Sequence, residues 1–281
     1  MPWIKLQKQL KRSYNNLMED FKSKYGSYAL VTGAASGIGA AFAEALAQRG
    51  IHPIILDINV EQAGHVVKDL KTKYNVDARA LIVDLSKPDF MRQIIEAVNS
   101  LDVGLVIHSA AVSIIGDYLD LPIAQHRALV GVNVTASMEL AYYFGALFKA
   151  KKRGGIILVS SASALQGSAL VQHYAASKAY ILMLAEGLWF ELRSHGVDVL
   201  GLMPGSTETP AIHIGDPDLS GSYIMPADVV AHEALDTLGK QPSLISGARN
   251  RRDFFFLTRF FSRKRAVEVV GNRLLKIYRR K

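Results

Sequence analysis

A tyrosine and a lysine, Tyr174 and Lys178, lie four residues apart in a segment whose pattern predicts a helix. Side chains at this spacing share one helix face, with their Cβ atoms about 6 Å apart. A cation beside a phenol favours the phenolate, so we expect Lys178 to lower the Tyr174 pKa from its ordinary value of about 10. Such a tyrosine exchanges a proton with an alcohol or a carbonyl near neutral pH. Ser161, just after the apolar run Ile156–Val159, can hydrogen-bond the same oxygen.

A glycine-rich turn earlier in the chain gives more specific evidence than the tyrosine and lysine do. Those two residues at this spacing are common on ordinary surface helices and identify no site by themselves. The stretch Tyr28–Gly39 consists of an apolar strand followed by Thr-Gly-Ala-Ala-Ser-Gly-Ile-Gly, and an alanine-rich helix covers Ala40–Arg49. Gly33 permits the tight turn, Gly37 lets the backbone approach a pyrophosphate, and Gly39 allows close packing of helix and strand. The free N–H groups of the helix then face the phosphates. This context predicts a dinucleotide-binding site.

The residue at the end of the next strand bears on the choice of cofactor. The strand Pro53–Leu56 is followed by Asp57, about 20 residues after the glycines. A carboxylate at this point accepts hydrogen bonds from the adenosine ribose hydroxyls and repels a 2′-phosphate. Ser36 and Ile58 supply no cation to offset that repulsion. The sequence therefore predicts NAD, with NADP less favoured.

Apolar strands alternate with helical segments along the rest of the chain. Further runs end at Asp84, His108, Ser160 and Pro204. This alternation is typical of a parallel sheet covered on both faces, in which ligands gather at the carboxyl ends of the strands. We expect an α/β fold: a doubly wound, Rossmann-like parallel sheet with helices on both faces and extra helical segments at both termini.

Composition restricts the class of protein. The chain has 281 residues, 49% of them hydrophobic, and no cysteine, which excludes disulfides, thiolate metal sites and a cysteine nucleophile. No apolar run reaches the roughly 18 residues of a membrane-spanning helix, and the N-terminus lacks the apolar core of a signal peptide. We expect a cytoplasmic protein and leave peripheral membrane association open. His213, Asp216 and Asp218 complete no recognisable metal site, so no metal is expected.

The positive charge resides in the two termini. We expect a basic amphipathic helix over residues 1–26, a Rossmann-type catalytic domain over 27–248, and a basic, aromatic-rich helical extension over 249–281. Residues 1–25 hold six Lys/Arg and two Asp/Glu, and residues 249–281 hold twelve and two, against a total net charge of +8. The first helix either docks on the domain or a second subunit, or lies on a membrane. The aromatic tail suits a lipid interface, a dimer contact or the wall of an apolar pocket. Nucleic-acid binding is not expected, because no recognition motif accompanies the basic residues.

Together the motifs resemble the short-chain dehydrogenase/reductase family in its compact single-domain form. Ser161 precedes Tyr174 by 13 positions, the usual gap in the family, which favours Ser161 over Ser160. The match covers roughly residues 28 to 210. Its pieces are Thr32-Gly-x-x-x-Gly-Ile-Gly39, Asp84, Asn133 in Val-Asn-Val, Ser161, Tyr174-x-x-x-Lys178 and Pro204-Gly-Ser-Thr-Glu-Thr209.

The resemblance implies a role for each matching residue. Tyr174 would be the general acid/base, Ser161 would position the substrate oxygen, and Asn133 would anchor a water of a proton relay. Lys178 would hold the nicotinamide ribose and lower the Tyr174 pKa. Asp84 would meet the adenine ring. The full cofactor-binding set predicted is Gly33, Ser36, Gly37, Ile38, Gly39, Asp57, Asp84, Leu85, Ala110, Tyr174, Lys178, Pro204, Gly205, Thr207 and Thr209.

Some stretches depart from the common pattern or point to one branch of the family. His108-Ser-Ala-Ala111 replaces the usual Asn-Asn-Ala-Gly, and Ala164 replaces a frequent glycine. Lys24–Tyr28, Lys73–Asp77 and Leu101–Gly104 are similar to the hydroxysteroid dehydrogenase and long-chain 3-oxoacyl-CoA reductase branch. That branch usually uses NADP and a membrane anchor, which disagrees with the aspartate after the second strand and with the missing apolar span. The likeness favours an apolar substrate.

We therefore expect an NAD(H)-dependent oxidoreductase that interconverts a secondary alcohol and a ketone on a steroid-like or acyl-like molecule. A homodimer or homotetramer and a mobile substrate cap over Pro210–Pro226 are expected as well. The alternative from another class is a sensor or scaffold that binds NAD without turnover, against which the complete catalytic set argues. An epimerase or dehydratase would use the same tyrosine and lysine, but the region after Pro204 is short for a sugar-nucleotide domain.

Overall fold

A parallel sheet of seven strands runs through the computed structural model, which describes residues 19–278. The strand order is β3-β2-β1-β4-β5-β6-β7, and every neighbouring pair is parallel. The order reverses between β1 and β4, which leaves a crevice at the carboxyl ends of these two strands. The strands are β1 (Tyr28–Thr32), β2 (His52–Asp57), β3 (Arg79–Ile82), β4 (Val103–His108), β5 (Gly154–Val159), β6 (Val197–Met203) and β7 (Ser243–Ile245).

Helices cover both faces of the sheet, as the sequence predicts for a doubly wound α/β fold. A π-helical turn, Val130–Thr135, lies between the fourth and fifth helices, and 3-10 turns cover Ala162–Leu165 and Pro210–His213. Between residues 27 and 278 the α-helices are α1 (Gly37–Gln48), α2 (Val60–Tyr74), α3 (Phe90–Val98), α4 (Ile123–Leu129), α5 (Ala136–Lys151), α6 (Gln172–Leu192), α7 (Ala227–Thr237), α8 (Ala248–Phe260) and α9 (Arg263–Tyr278).

The core has two parts, one on each face of the sheet. Successive side chains of a strand point to opposite faces, and β1 shows this directly. Leu30 packs with α5 and α6 residues such as Phe144, whereas its neighbour Val31 packs with α1 and α7 residues such as Phe42. All residues of β4 and β5 are buried, because helices cover both faces of these central strands. This explains their uninterrupted apolar runs.

The described end of the predicted N-terminal helix docks on the domain. Residues 19–25 are helical, and the buried Tyr25 donates its hydroxyl to Asp198 Oδ2 at 2.6 Å. The Arg49 guanidinium lies 5.8 Å from the Phe21 ring centroid. The remainder of that predicted helix, residues 1–18, lies outside the described part of the chain, as do residues 279–281 at the other end. The division into three segments stays a prediction.

The three branch-specific stretches meet at the amino end of the sheet, away from the crevice. Tyr28 donates its hydroxyl to Asp77 Oδ2 at 2.6 Å. A Cβ on Gly104 would lie 2.2 Å from the Tyr25 carbonyl oxygen, so only glycine fits there. These stretches therefore pack the N-terminal segment against the sheet and take no part in binding at its other end.

Candidate active site

The glycine-rich turn between β1 and α1 forms a side-chain-free cradle in the crevice. Gly33 and Gly37 have φ values of +64° and +56°, a region in which glycine is favoured. A Cβ on Gly33 would lie 2.7 Å from Ala110 Cα, and one on Gly39 would lie 2.1 Å from the Gly33 carbonyl oxygen. Ser36 precedes α1 and makes no capping hydrogen bond with its side chain. The cradle at the α1 N-terminus therefore fits a pyrophosphate.

His108 holds this turn against the end of β4, a role that the sequence did not reveal. Thr32 Oγ1 accepts hydrogen bonds from the N–H groups of Ser109 and Ala110, each at 3.1 Å, and lies 2.9 Å from His108 Nδ1. Because its two lone pairs are occupied, the threonine hydroxyl donates to the imidazole. Burial lowers the pKa of His108 to about 3, so the ring is neutral. The histidine, where the sequence departs from Asn-Asn-Ala-Gly, is thus a partner of the turn.

Two predicted carboxylates lie at the carboxyl edge of the sheet, one at the end of β2 and the other just after β3. Asp57 accepts hydrogen bonds from the N–H groups of Ala35 and Asn59, both at 3.0 Å, which fixes its carboxylate next to the glycine turn. Asp84 accepts from the N–H and the hydroxyl of Ser86 at 2.9 and 2.7 Å, and these bonds lower the Asp84 pKa. Its neighbour Leu85 is buried. Both side chains accept hydrogen bonds at the carboxyl edge of the sheet.

The Pro204–Thr209 segment connects the loop after β5, which carries Ser161, with the glycine turn. Ala162 N–H donates to the Pro204 carbonyl at 2.9 Å, and Thr207 donates its hydroxyl to the Gly205 carbonyl at 3.1 Å. Thr209 Cγ2 would lie 3.0 Å from a Cβ on Gly37. The predicted cofactor residues, including Ile38 in the first turn of α1 and Ala110 after β4, lie at the carboxyl ends of the strands or on the segments that follow them. These residues fit a dinucleotide.

The tyrosine and lysine lie at the start of α6, packed against the end of β5. Lys178 is 2% exposed, and its Nζ donates to the Val159 carbonyl at 2.8 Å. The Ser160 hydroxyl donates to the Lys178 carbonyl at 2.6 Å. Nζ lies 5.5 Å from the centroid of the Tyr174 ring. Two hydrogen bonds therefore fix the helix to the strand at the point where the phenol enters the site.

The prediction that Lys178 lowers the Tyr174 pKa is wrong for this structure. Burial raises the pKa of Tyr174 to about 12, although the side chain keeps some exposed surface, and the hydrogen bond with Ser161 acts in the opposite direction. Burial also lowers the pKa of Lys178 to about 7. Removing both groups from water disfavours their charged forms. The Lys178 ammonium points to the Val159 carbonyl. Burial of the phenol therefore has a larger effect on the Tyr174 pKa than the charge of the lysine does.

Ser161 has its hydrogen available for an oxygen in the site. Its hydroxyl accepts hydrogen bonds from the Ser163 N–H at 3.2 Å and lies 2.9 Å from the Ser163 hydroxyl, which donates to it. The Ala164 N–H donates to the Ser161 carbonyl at 3.0 Å within the 3-10 turn, so alanine is accommodated where the family often has glycine. Ser163 was not identified from the sequence, although it lies only two residues from the predicted serine.

Asn133 connects the loop after β4 to the catalytic helix. It is fully buried in the π-helical turn, where its Oδ1 accepts from Val112 N–H at 2.8 Å and its Nδ2 donates to the Val112 carbonyl and to Ser177 Oγ, each at 3.0 Å. Ser177 donates its hydroxyl to the Tyr174 carbonyl at 2.7 Å. The asparagine therefore positions the start of α6. Its implied part in a proton relay stays a prediction.

The sequence also did not reveal a pair of histidines, His126 and His173, beside the tyrosine. His126 Nε2 donates to the Tyr118 carbonyl at 3.2 Å, and its Nδ1 lies within hydrogen-bond distance of His173 Nδ1, at 2.8 Å. His173 immediately precedes Tyr174. The pair links the loop before α4 to the first turn of α6. No spacing rule connects residues so far apart in the chain.

Comparison with known proteins places these motifs in a family. The family model described as short chain dehydrogenase matches residues 27–215. The chain is 34% identical over 236 residues to a 7beta-hydroxysteroid dehydrogenase of Mediterraneibacter gnavus, an alignment that covers 82% of this chain and 89% of that protein.

Solved structures agree with this result. A structure from work on 7beta-hydroxysteroid dehydrogenase stereoselectivity superposes with a TM-score of 0.84 at 27% identity, covering 89% of this chain and 98% of the other. A short-chain dehydrogenase from Sphingobium yanoikuyae in complex with NADPH gives a TM-score of 0.73 at 25% identity, covering 81% and 91%. The predicted fold and the predicted hydroxysteroid branch are confirmed.

The buried lysine makes a prediction about stability against pH. The folded-state pKa of Lys178 is about 7, below its ordinary 10.5, so between these values the unfolded chain binds a proton that the folded chain does not. The free energy of unfolding should therefore rise with pH across this window, by up to about 5 kcal/mol from this one group. Thermal unfolding of the wild type and Lys178→Met from pH 7 to 10 measures the difference.

We expect the wild type to gain stability relative to Lys178→Met as the pH rises. The matched control is Lys240→Met, a substitution of an exposed lysine, which should leave the pH dependence unchanged. If the free energy of unfolding changed with pH by the same amount in the wild type and in Lys178→Met, the prediction that burial lowers the Lys178 pKa would be contradicted.

Proposed function

The chain belongs to the short-chain dehydrogenase family, and we propose that it interconverts a secondary alcohol and a ketone on an apolar, steroid-like frame with NAD(H) as the cofactor. It is an oxidoreductase of the hydroxysteroid branch that acts on CH–OH groups. One observation carries the proposal. The hydroxyls of Ser161 and Tyr174 interact at the carboxyl end of β5, with Lys178 buried behind the tyrosine ring and the glycine cradle at the end of β1, on the other side of β4.

In the reductive direction, Tyr174 donates its proton to the carbonyl oxygen of the substrate. The hydride for the carbonyl carbon would come from a nicotinamide held in the crevice beside it. Ser161 donates a hydrogen bond to the same carbonyl oxygen and so orients the carbon. Because the Tyr174 pKa is about 12, the phenol carries its proton at neutral pH and is ready to donate. In the oxidative direction the phenol must first lose that proton, a step that its burial disfavours.

A steroid-like frame is supported by the relatives and by the apolar groups near the site. The bacterial relative named above is a 7beta-hydroxysteroid dehydrogenase and aligns along most of this chain. Ile114 and Leu170 are buried on the loops that follow β4 and the catalytic serine. We therefore favour an apolar ketone over a sugar or a short hydroxy acid.

The tyrosine gives the first test of this function. Tyr174→Phe removes the proton donor while keeping the ring, so kcat for reduction of a steroid ketone should fall by about 100-fold or more. Tyr180→Phe is the matched control, because this exposed tyrosine lies on the same helix. Absorbance of NADH at saturating ketone measures both variants. Full activity of Tyr174→Phe would contradict the proton-transfer role.

A second prediction concerns the cofactor. The Asp57 carboxylate is held beside the glycine turn by Ala35, and a 2′-phosphate would meet its charge, so NADH should bind at least about tenfold more tightly than NADPH. Asp57→Ser should reduce this preference, mainly by improving NADPH binding. Fluorescence titration with both nucleotides measures it, with Asp236→Ser as the exposed control. Tighter binding of NADPH by the wild type would contradict the prediction. The test is needed because a related structure holds NADPH.

The C-terminal extension supports a further proposal, peripheral contact with anionic membranes. Phe255, Phe256 and Phe260 are 57%, 53% and 66% exposed. Their ring centroids lie 5.5 to 6.2 Å apart, so they form one phenylalanine cluster. Arg252 and Arg259 lie three or four residues from cluster members and share their side of α8. Exposed aromatics flanked by arginines suit an anionic lipid interface.

A second copy of the same surface is a less favourable partner than lipid. Residues 249–281 carry twelve Lys/Arg and two Asp/Glu, so a symmetric contact through this surface would bring like charges together. Members of this family are commonly oligomeric, and we propose a homodimer or homotetramer assembled through other faces. No helix within residues 19–278 is long and apolar enough to cross a membrane.

Vesicle flotation tests the membrane contact. The wild type should float with phosphatidylcholine vesicles that contain phosphatidylserine and should not float with phosphatidylcholine alone. Replacing the three phenylalanines of the cluster by serine should abolish flotation, whereas Val229→Ser, an exposed apolar position on α7, should preserve it. Light scattering on the same samples reports the oligomeric state. A triple variant that still floats, or one that falls apart into smaller oligomers, would argue against the lipid interface.

A further inference from the structure

The last helix, α9, crosses from the catalytic serine loop to the substrate cap. At its beginning, Arg263 donates a hydrogen bond to the Leu165 carbonyl at 2.6 Å. In its middle, Gly271 packs on the same loop, since a Cβ added there would lie 3.7 Å from Ala169 Cβ. At its end, the Ile277 carbonyl accepts from the N–H of Asp218, in the predicted cap, at 2.8 Å. The helix is therefore attached on both sides of the site.

The face of α9 that meets the domain is apolar. Gly271 is buried, and Leu274, Leu275 and Tyr278 are partly buried. These positions are three, four and seven residues apart, the spacing of one helix face. The polar residues Glu268, Asn272, Arg273 and Lys276 are exposed. The helix thus presents an apolar surface toward the catalytic side of the molecule.

Tyr278 closes the gap between the cap and the loop after β4. A Cβ built on Gly215 of the cap would lie 3.4 Å from Cδ1 and Cε1 of the Tyr278 ring and 3.4 Å from Ile115 Cδ1. The ring and the isoleucine therefore lie side by side over this glycine. Tyr278 is also near enough to Tyr174 to contribute to its raised pKa, and burial raises its own. Both tyrosines are therefore neutral phenols at neutral pH.

We propose that α9 is the outer wall of the substrate site and that Tyr278 is a specificity-determining residue in it. The inference rests on the proposed function and refines its substrate class: a bulky, apolar ketone whose frame extends from the reacting carbon to the Tyr278 ring. A flat aromatic side chain next to an isoleucine offers such a frame a large apolar contact. A small ketone reaches Ser161 and Tyr174 without touching this wall.

Substrate selectivity tests the wall. Tyr278→Ala should raise KM for a steroid ketone by at least about tenfold and change KM for cyclohexanone by less than about twofold. Tyr278→Phe keeps the ring and should retain the wild-type selectivity. Asn272→Ala, on the exposed side of the same helix, is the matched control. NADH affinity, measured by fluorescence, should be equal in all four proteins, because the wall does not touch the glycine cradle.

The outcomes separate this proposal from the proposed function. An unchanged ratio of kcat/KM for the two ketones in Tyr278→Ala overturns the wall, even if the enzyme is active. If the wild type reduces no ketone, the proposed function fails, and calorimetric titration of the NADH-bound protein with a steroid alcohol judges the wall by itself. Binding lost in Tyr278→Ala and kept in Tyr278→Phe then supports it. Equal binding by the wild type and Tyr278→Ala, or no binding by either, overturns it.

Discussion

The attachment of α6 to the end of β5 is the constraint on which the site depends. Lys178 reaches back to the Val159 carbonyl, and Ser160 reaches forward to the Lys178 carbonyl. These two buried hydrogen bonds fix both the rotation and the height of the helix. Tyr174, one turn earlier, is thereby held where it interacts with Ser161. The cost is a desolvated ammonium, whose pKa falls to about 7, and the surrounding structure must supply the stability that offsets it.

The sheet places this unit beside the cofactor crevice. Parallel strands bring all their carboxyl ends to one edge, so the glycine turn after β1 and the serine after β5 face the same space. His108 and Thr32 then fix the turn against β4, and Asn133 fixes the loop after β4 against α6. The glycine turn and the start of α6 are therefore connected through β4. A substitution that breaks these hydrogen bonds at one of the two should change the position of the other.

Sequence patterns predicted most of the domain because each signal is local. Buried central strands appear as apolar runs, and the glycine turn needs residues without a Cβ within one short stretch. β7 was missed because Ser243–Ile245 is only three residues long, too short for a periodic pattern. The Tyr174 pKa was mispredicted because spacing reveals that a lysine is near and does not reveal how much water both groups lose. Two further contacts could not be predicted because they join distant parts of the chain. Thr32 pairs with His108, and the Tyr278 ring lies over Gly215.

The central claim is that these residues orient a ketone for reduction by a bound nicotinamide. Isotope transfer tests this claim most directly. The protein is incubated with a steroid ketone and NADH carrying deuterium at both C4 positions, and the alcohol formed is analysed by mass spectrometry. We expect one deuterium on the carbinol carbon of the product. Alcohol without deuterium, or bound NADH with no alcohol formed from any apolar ketone, would contradict it.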